Sequence, residues 1–156
     1  MKLGKSKGKI KIFLILSDCI GGYGGIAEYN RNLLNAIAQN ENFFIYCFVR
    51  IGSKSKYVSN NYVQYKPVKN KFVFSFIVIL KAIFLRPKIV FNGHLFLTYL
   101  SYIVSKISNS IIVSQFHGTE IWDKSLDYFK VKILEKSHCL SVSNYTKKKP
   151  LQNKWY

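Results

Sequence analysis

Two histidines, each beside a glycine, are the residues of this chain best placed to do chemistry. Gly93-His94 and His117-Gly118 each follow directly on a short apolar run. A histidine at the end of a strand can donate a hydrogen bond to a sugar hydroxyl or a phosphate, and the adjacent glycine leaves room for a ligand. Local capping or packing is the alternative explanation for both rings.

A cluster of glycines, Gly21-Gly22-Tyr23-Gly24-Gly25, lies between the first apolar run and the first stretch with helical periodicity. Glycine lets the backbone approach a phosphate closely, and the N-terminus of the following helix offers free N–H groups and a positive dipole end. The density of glycine therefore favours a loop that contacts an anion over glycines that only ease a tight turn.

The glycine cluster also satisfies the looser dinucleotide pattern G-x-G-x-x-A, from Gly22 to Ala27. The first glycine of the pattern lies some way beyond the strand, and the second strand ends at Arg50 where that fold usually has an acidic residue. Arg50 would suit the 2′-phosphate of NADP, and Tyr145 and Lys149 have the Y-x-x-x-K spacing of one oxidoreductase class. An NADP-binding oxidoreductase domain therefore stays open as an alternative.

Carboxylates and metal ligands are scarce in this sequence. Glu28 and Glu120 are the only carboxylates expected near the glycines and histidines, and there is no Ser-His-Asp arrangement, Walker loop or metal-binding cluster. Cys19, Cys47 and Cys139 are widely spaced without a CxxC pair, so we predict neither a zinc site nor a disulfide framework. Cys47 and Cys139 fall within apolar runs and are predicted to be core residues, which suits a reducing cytoplasm.

The elements that must position these residues follow from the apolar pattern. Solid apolar runs predict strands, and longer periodic or apolar stretches predict helices. The predicted strands are 9–16, 43–49, 62–68, 88–92, 111–116 and 139–142. One helix is predicted to begin at Ile26, and its apolar face consists of Ile26, Leu33, Leu34, Ile37 and Ala38. Three further helices are predicted over 72–86, 95–106 and 125–136.

Strands that alternate with helices predict an α/β fold, a Rossmann-like doubly wound parallel sheet with helices on both faces. Ligands of such sheets bind at the carboxyl ends of the strands. The glycine cluster, both histidines and Ser143-Asn144 all follow predicted strands. We therefore expect four strand ends to assemble into one site.

The charge balance is strongly cationic, with 24 Lys and Arg against 7 Asp and Glu and a net charge of +17. Nearly all of these cations are lysines, which suit attraction to anionic surfaces better than bidentate recognition of bases. The longest apolar stretch, Phe72 to Leu85, contains Lys81 and ends at Arg86-Pro87. It falls short of the roughly 20 residues needed to span a membrane, so we predict a buried or interfacial helix.

Three segments of the chain resemble family 4-type glycosyltransferases. Gly24 to Leu34 (GGIAEYNRNLL) resembles that family's glycine loop and first helix, and His117 to Trp122 (HGTEIW) resembles its HG-x-E segment. Leu140 to Lys147 (LSVSNYTK) resembles its next strand and helix. The segments occur in the family's order, and the resemblance covers about residues 9 to 148.

The resemblance implies the N-terminal, acceptor-side half of a GT-B enzyme, whose two Rossmann-like domains hold the active site between them. Such enzymes transfer a hexose from a nucleotide-diphosphate sugar with retention of configuration and without a bound metal or other cofactor. Gly24 and Gly25 would lie near the donor diphosphate, and His117 would be catalytic, near the transferred sugar. The remaining cleft and acceptor-side residues would be His94, Gly118, Glu120, Ser143 and Asn144.

The resemblance further implies a glycan or lipid-linked acceptor, as in cell-surface polysaccharide synthesis, and no nucleic-acid partner. We expect a cytoplasmic protein in peripheral contact with the anionic inner face of the cell membrane. The expected organisation is a basic tail (1–8), the Rossmann-like domain (9–149) and a short tail (150–156), without the family's donor-binding domain. The chain alone is then expected to be inactive, and a non-catalytic module that pairs with a separate donor-domain chain is the alternative.

Overall fold

The computed structural model describes residues 8–52, 54–118 and 127–144, in which strands and helices alternate. The strands are β1 (Ile10–Leu16), β2 (Phe43–Val49), β3 (Tyr57–Val58), β4 (Tyr62–Gln64), β5 (Ile89–Asn92), β6 (Ile111–Phe116) and β7 (His138–Ser141). The helices are α1 (Gly25–Ala38), α2 (Lys71–Leu85), α3 (Thr98–Ser108) and α4 (Tyr128–Glu135), with a 3₁₀ turn at Leu95–Leu97 before α3.

All seven strands form one sheet in the order β3-β4-β2-β1-β5-β6-β7. Neighbouring strands are parallel except for the short antiparallel pair β3–β4 at one edge. The Rossmann-like α/β class predicted from the sequence is confirmed. The chain moves from β1 toward β2 on one side and later returns to β5 on the other, so the sheet has its topological switch point between β1 and β5.

Helices cover both faces of the sheet, which is why the central strands are apolar throughout. Alternate residues of β1 point to opposite sides: Phe13 and Ile15 pack with α2 and α3, while Leu14 and Leu16 pack with α1. All four side chains are fully buried. The sheet and its two cores thus form a fixed support for the loops at the strand ends.

Several predicted boundaries differ from the structure. The predicted strand 62–68 ends at Gln64, because Pro67 has no N–H to continue the ladder, and the sequence did not indicate β3. The predicted helix 95–106 begins as the 3₁₀ turn and becomes α-helical only from Thr98. In α1, Leu34 is buried as predicted, but Ile26 of the predicted apolar face is exposed, and Asn30, outside that face, is buried.

The prediction that Cys139 is a core residue is wrong. Cys139 is exposed, because β7 is the last strand of the sheet among the described residues and has no strand beyond it. Cys47 is buried as predicted, in the middle of β2, and Cys19 is also buried. All three thiols are free.

Candidate functional site at the carboxyl edge of the sheet

The loop that joins β1 to α1 is anchored to the sheet by one buried side chain, Gln64 of β4. Its amide oxygen accepts a hydrogen bond from the Ile20 backbone N–H at 3.0 Å, and its amide nitrogen donates to the Ile20 carbonyl at 2.9 Å. Gln64 is completely buried at the end of its strand. The Gln64 side chain therefore makes the pair of backbone hydrogen bonds that a neighbouring strand would otherwise make, and it holds the middle of the loop.

Two side chains from α1 hold the rest of this loop. The Asn30 amide donates to the Asp18 carbonyl at 2.8 Å, which explains why a polar residue occupies the inner face of the helix. The Arg31 guanidinium donates to the Gly22 carbonyl at 2.9 Å and forms an ion pair with Glu28. That ion pair lowers the pKa of the exposed Glu28 carboxyl. The loop geometry is thus set by contacts from both sides.

Asp18 is a carboxylate within this loop that the sequence analysis did not place near the site. Its Oδ1 atom accepts from the Cys19 backbone N–H at 2.8 Å, and burial raises its pKa above the ordinary value. A Cβ atom at Gly22 would lie 1.8 Å from Oδ1 of Asp18. Gly22 is therefore needed to make room for this carboxylate.

Gly24 and Gly25, the predicted diphosphate-binding residues, face open space at the start of α1. A Cβ atom at either position would meet no described atom within 4 Å. Gly24 has a φ of 89°, which favours glycine, whereas Gly25 is not among the residues with positive φ. Neither backbone strain nor packing therefore explains glycine at position 25. Open space beside the backbone at a helix N-terminus suits the close approach of an anion.

The two histidines and a tyrosine converge beside this loop. The ring centroids of His94 and His117 are 6.0 Å apart, and the ring of Tyr29 on α1 meets His117 edge-on at 5.8 Å. The segment after β5, the segment after β6 and helix α1 each contribute one of these rings. The structure thus brings His94 and His117 together as predicted and adds Tyr29, which the sequence analysis missed.

The imidazole of His117 is held from the interior side of the site. Its Nε2 atom lies 3.0 Å from the Gly93 carbonyl oxygen and 2.8 Å from the Gln115 side-chain nitrogen. The Gln115 oxygen is buried and has no partner among the described residues. When the ring carries its proton on Nε2, this nitrogen donates to the Gly93 carbonyl. The ring orientation of His117 is therefore set before any ligand binds.

Gly93 is required at its position by packing. A Cβ atom there would lie 2.3 Å from Cδ2 of Leu16 and 3.3 Å from the Ile15 carbonyl oxygen. Its own N–H donates to that carbonyl at 3.0 Å. The backbone after the end of β5 therefore packs closely on the end of β1. This packing holds the Gly93 carbonyl within hydrogen-bonding distance of His117.

A cavity of about 610 Å³ opens next to the histidines, between α2, the 3₁₀ turn and α3. Its walls are mostly apolar, and its two cations are Arg50 and Lys71. The Phe96 ring joins the cavity to the histidines, with its centroid 4.4 Å from that of His94, and the Arg50 guanidinium lies 5.6 Å from the same ring. Arg50 also donates to the Lys69 carbonyl at 2.7 Å. The cavity suits a ligand with an apolar part and an anionic group.

Of the remaining predicted site residues, Gly118, Ser143 and Asn144 are described by the structure and Glu120 is not. Gly118 is buried beside His117 with a φ of 122°, and Ser143 and Asn144 are exposed just after β7, one strand away. Glu120 lies outside the described residues, as do Tyr145 and Lys149. Gln64 and Gln115 were not predicted as site residues. Each is a polar residue near the end of an otherwise apolar strand, and this pattern could have indicated them.

The described part of the chain offers neither a metal-binding cluster nor a membrane-spanning helix. Residues 8–52, 54–118 and 127–144 contain no group of three or more His, Cys, Asp or Glu side chains that could hold a metal ion. Within those ranges, no helix combines the length and apolar character required to cross a bilayer.

Comparison with known proteins supports the fold. The chain matches no protein-family model and no curated protein sequence. Its structure is similar to that of the lipopolysaccharide outer core galactosyltransferase WaaB in the apo form, with a TM-score of 0.55 and 18% sequence identity. The similarity covers 93% of this chain and 43% of that chain, so the chain spans less than half the length of that enzyme.

Proposed function

We propose that this chain forms the acceptor-side domain of a retaining glycosyltransferase that moves a hexose from a nucleotide-diphosphate sugar to a glycan or lipid-linked acceptor. The observation that carries the proposal is the convergence of His94, His117 and Tyr29 beside the glycine loop, at the switch point of the sheet. That sheet belongs to a fold that a galactosyltransferase also has.

The glycine loop would serve the donor diphosphate. Gly24 and Gly25 lie at the N-terminus of α1, where a side chain caps none of the first N–H groups and where a Cβ atom would meet no described atom, so an anion could approach the backbone there. During transfer, negative charge develops on the leaving diphosphate, and preorganised N–H groups stabilise such charge. Because Gln64 and Asn30 hold the loop in place, these groups need little rearrangement when the charge appears.

His117 would contact the transferred hexose. Its ring is fixed by the Gly93 carbonyl and Gln115 and is flanked by Tyr29, so it can present a defined edge to a sugar hydroxyl. The donor-binding residues that choose the nucleotide and the sugar would belong to a second domain, as in other two-domain enzymes of this kind. The net charge of +17 supports peripheral contact with the anionic inner face of the cell membrane, where a lipid-linked acceptor would lie.

The cavity beside the histidines would receive the acceptor. Its apolar walls suit a lipid chain, and Arg50 and Lys71 suit a phosphate that links lipid to sugar. Phe96 connects this cavity to His94, so a sugar attached to the phosphate would lie toward the histidines. A lipid-linked, phosphate-bearing acceptor therefore fits the site better than an uncharged glycan.

Backbone amide NMR of the 156-residue chain tests this assignment. We would titrate UDP, GDP and dTDP, with NADP as a control, and follow the amides of Gly24, Gly25 and Ile26. We expect at least one nucleoside diphosphate to shift these amides. Gly25→Val should abolish the shifts by filling the open space, whereas Asn35→Val, at another exposed position of α1, should leave them unchanged.

Two results would count against the proposed function. If no nucleoside diphosphate perturbs the loop, either alone or in the presence of a separately expressed donor-binding domain, Gly24 and Gly25 do not bind the donor. If NADP binds more tightly than every nucleoside diphosphate, the oxidoreductase alternative replaces the glycosyltransferase.

A further inference from the structure

Helix α2 exposes a face that is entirely apolar. Phe74, Val78 and Ala82 point into the core, and the opposite side of the helix carries six exposed residues: Phe72, Val73, Phe76, Leu80, Ile83 and Phe84. The rings of Phe72 and Phe84 are 74% and 73% exposed. A helix that is apolar on all sides is normally covered on all sides. Of the two alternatives predicted from the sequence, a buried or an interfacial helix, the structure excludes full burial.

The exposed apolar surface continues onto α3, which packs beside α2 on the same side of the sheet. Tyr99, Ile103 and Ile107 recur at intervals of four residues along α3, and all three are exposed. Contiguous exposed apolar patches of this kind mark interaction surfaces in soluble proteins. We refer to these nine residues of α2 and α3 as the apolar face.

The surroundings of the apolar face are cationic. No Asp or Glu occurs between Asn42 and Thr119, the stretch that contains both helices. Lys71 and Lys106 lie at its border, with their ammonium groups 5.1 Å from the Phe72 ring and 5.3 Å from the Tyr102 ring. Arg86 and Lys88 follow α2 directly and are exposed. Lysine and arginine extend their charged ends from apolar surface toward water or lipid headgroups.

We propose that the apolar face docks on an anionic lipid bilayer, with its aromatic and aliphatic side chains among the acyl chains and its lysines at the headgroups. Aromatic residues, aliphatic residues and a lysine border are together typical of surfaces that lie in the membrane interface. Charge complementarity selects this occupant. One carboxylate, Asp127, accepts a hydrogen bond from Tyr99, but it is paired with Lys130, so the border keeps a net positive charge. A second copy would place the same cationic border against itself, and the segment 145–156 carries four lysines and no acidic residue.

Docking by this face would bring the cavity to the membrane. Phe72 and Tyr99 belong both to the apolar face and to the cavity lining, and Lys71 stands at the same end of α2. A lipid-linked phosphate could then enter the cavity from the bilayer without crossing water. This last step rests on the proposed function, whereas membrane docking does not depend on it.

Vesicle binding by the 156-residue chain tests the docking. We would measure co-flotation with vesicles of equal parts phosphatidylglycerol and phosphatidylcholine, and with phosphatidylcholine alone. We expect binding to the anionic vesicles that weakens with added salt. The double variant Phe76→Gln/Phe84→Gln should bind about 100-fold more weakly, because each phenylalanine contributes about tenfold when part of its surface leaves water.

Ile26→Gln is the matched control, since Ile26 is an exposed apolar residue on α1, on the opposite side of the sheet. Its vesicle binding should change by less than about twofold. Circular dichroism must show that the double variant is folded, and Leu80→Gln takes its place if it is not.

Three results would overturn the docking proposal. The first is that the wild-type chain does not bind anionic vesicles. The second is that the folded double variant binds them as tightly as the wild type. The third is a dimer in sedimentation velocity that the double variant abolishes without any vesicle binding, which would assign the face to a second copy. Because these measurements need no nucleotide, failure of the donor-binding experiment leaves them interpretable.

Discussion

Replacing Gln64 should detach the glycine loop from the sheet. Gln64 makes two hydrogen bonds to the backbone of Ile20, at 3.0 and 2.9 Å, and it is fully buried. Gln64→Met keeps the length and volume of the side chain but can make neither bond. The Ile20 N–H and carbonyl then lose their partners, although Ile20 itself is only partly buried and water can reach it to some extent.

The expected loss of stability is about 2–3 kcal/mol, because each half-buried backbone group left without a partner costs roughly 1 kcal/mol or somewhat more. For a domain of this size that corresponds to a fall in Tm of about 5–10 °C. Urea unfolding followed by circular dichroism should show a lower midpoint with an unchanged slope. Amide hydrogen exchange at Ile20 should accelerate more than exchange in the centre of β1.

Gln39→Met is the control for this experiment. Gln39 is exposed at the end of α1, so its replacement should change the free energy of unfolding by no more than about 0.5 kcal/mol. If Gln64→Met is as harmless as this control, the loop is positioned by other contacts and our account of it is wrong.

The other predictions concern the glycine loop and the cysteines. Gly24→Ala should destabilise the fold by about 1–2 kcal/mol because of its positive φ, whereas Gly25→Ala should be neutral or slightly stabilising; equal losses in urea unfolding would contradict this. Burial raises the pKa of Asp18, so the stability linked to this group is complete below its unfolded pKa and is lost as pH rises through its folded pKa. Asp18→Asn should therefore stabilise the protein near neutral pH and lose that advantage in acid, and urea titrations at the two pH values that show no such difference would refute it. Iodoacetamide should modify Cys139 in the native protein while the other two cysteines react only after unfolding; peptide mass spectrometry showing all three labelled together would contradict the burial of the other two.

The sequence predicted the fold class and the position of most elements correctly. Buried parallel strands appear as solid apolar runs, so β1, β2, β5 and β6 could be identified within a residue or two. β3 could not, because a two-residue edge strand buries little and carries no periodic signal. The error at Cys139 has a related cause, since an apolar run does not reveal whether its strand lies at the centre or the edge of the sheet.

The candidate site was predicted in outline. The rule that ligands bind at strand ends brought His94 and His117 to one edge, and the structure places their rings 6.0 Å apart. Tyr29 and Gln115 were not predicted as their neighbours. Tyr29 is far from both histidines in the chain, so local periodicity contains no information about its contact with His117. Gln115 is only two residues from His117 and so lies on the same side of the chain, but its type alone did not indicate that it holds the imidazole.

The sequence by itself thus determined that this chain folds as a Rossmann-like sheet with glycine and histidine at its strand ends, because burial on both faces dictates apolar strands and tight strand-to-helix loops. Only the tertiary structure decided which side chains hold those ends in place, and that one side of α2 faces outward. An apolar run such as 72–85 is compatible both with a helix buried on all sides and with a helix buried on one side. In the structure α2 packs on the sheet with one side only, and Phe72, Phe76 and Phe84 stay exposed.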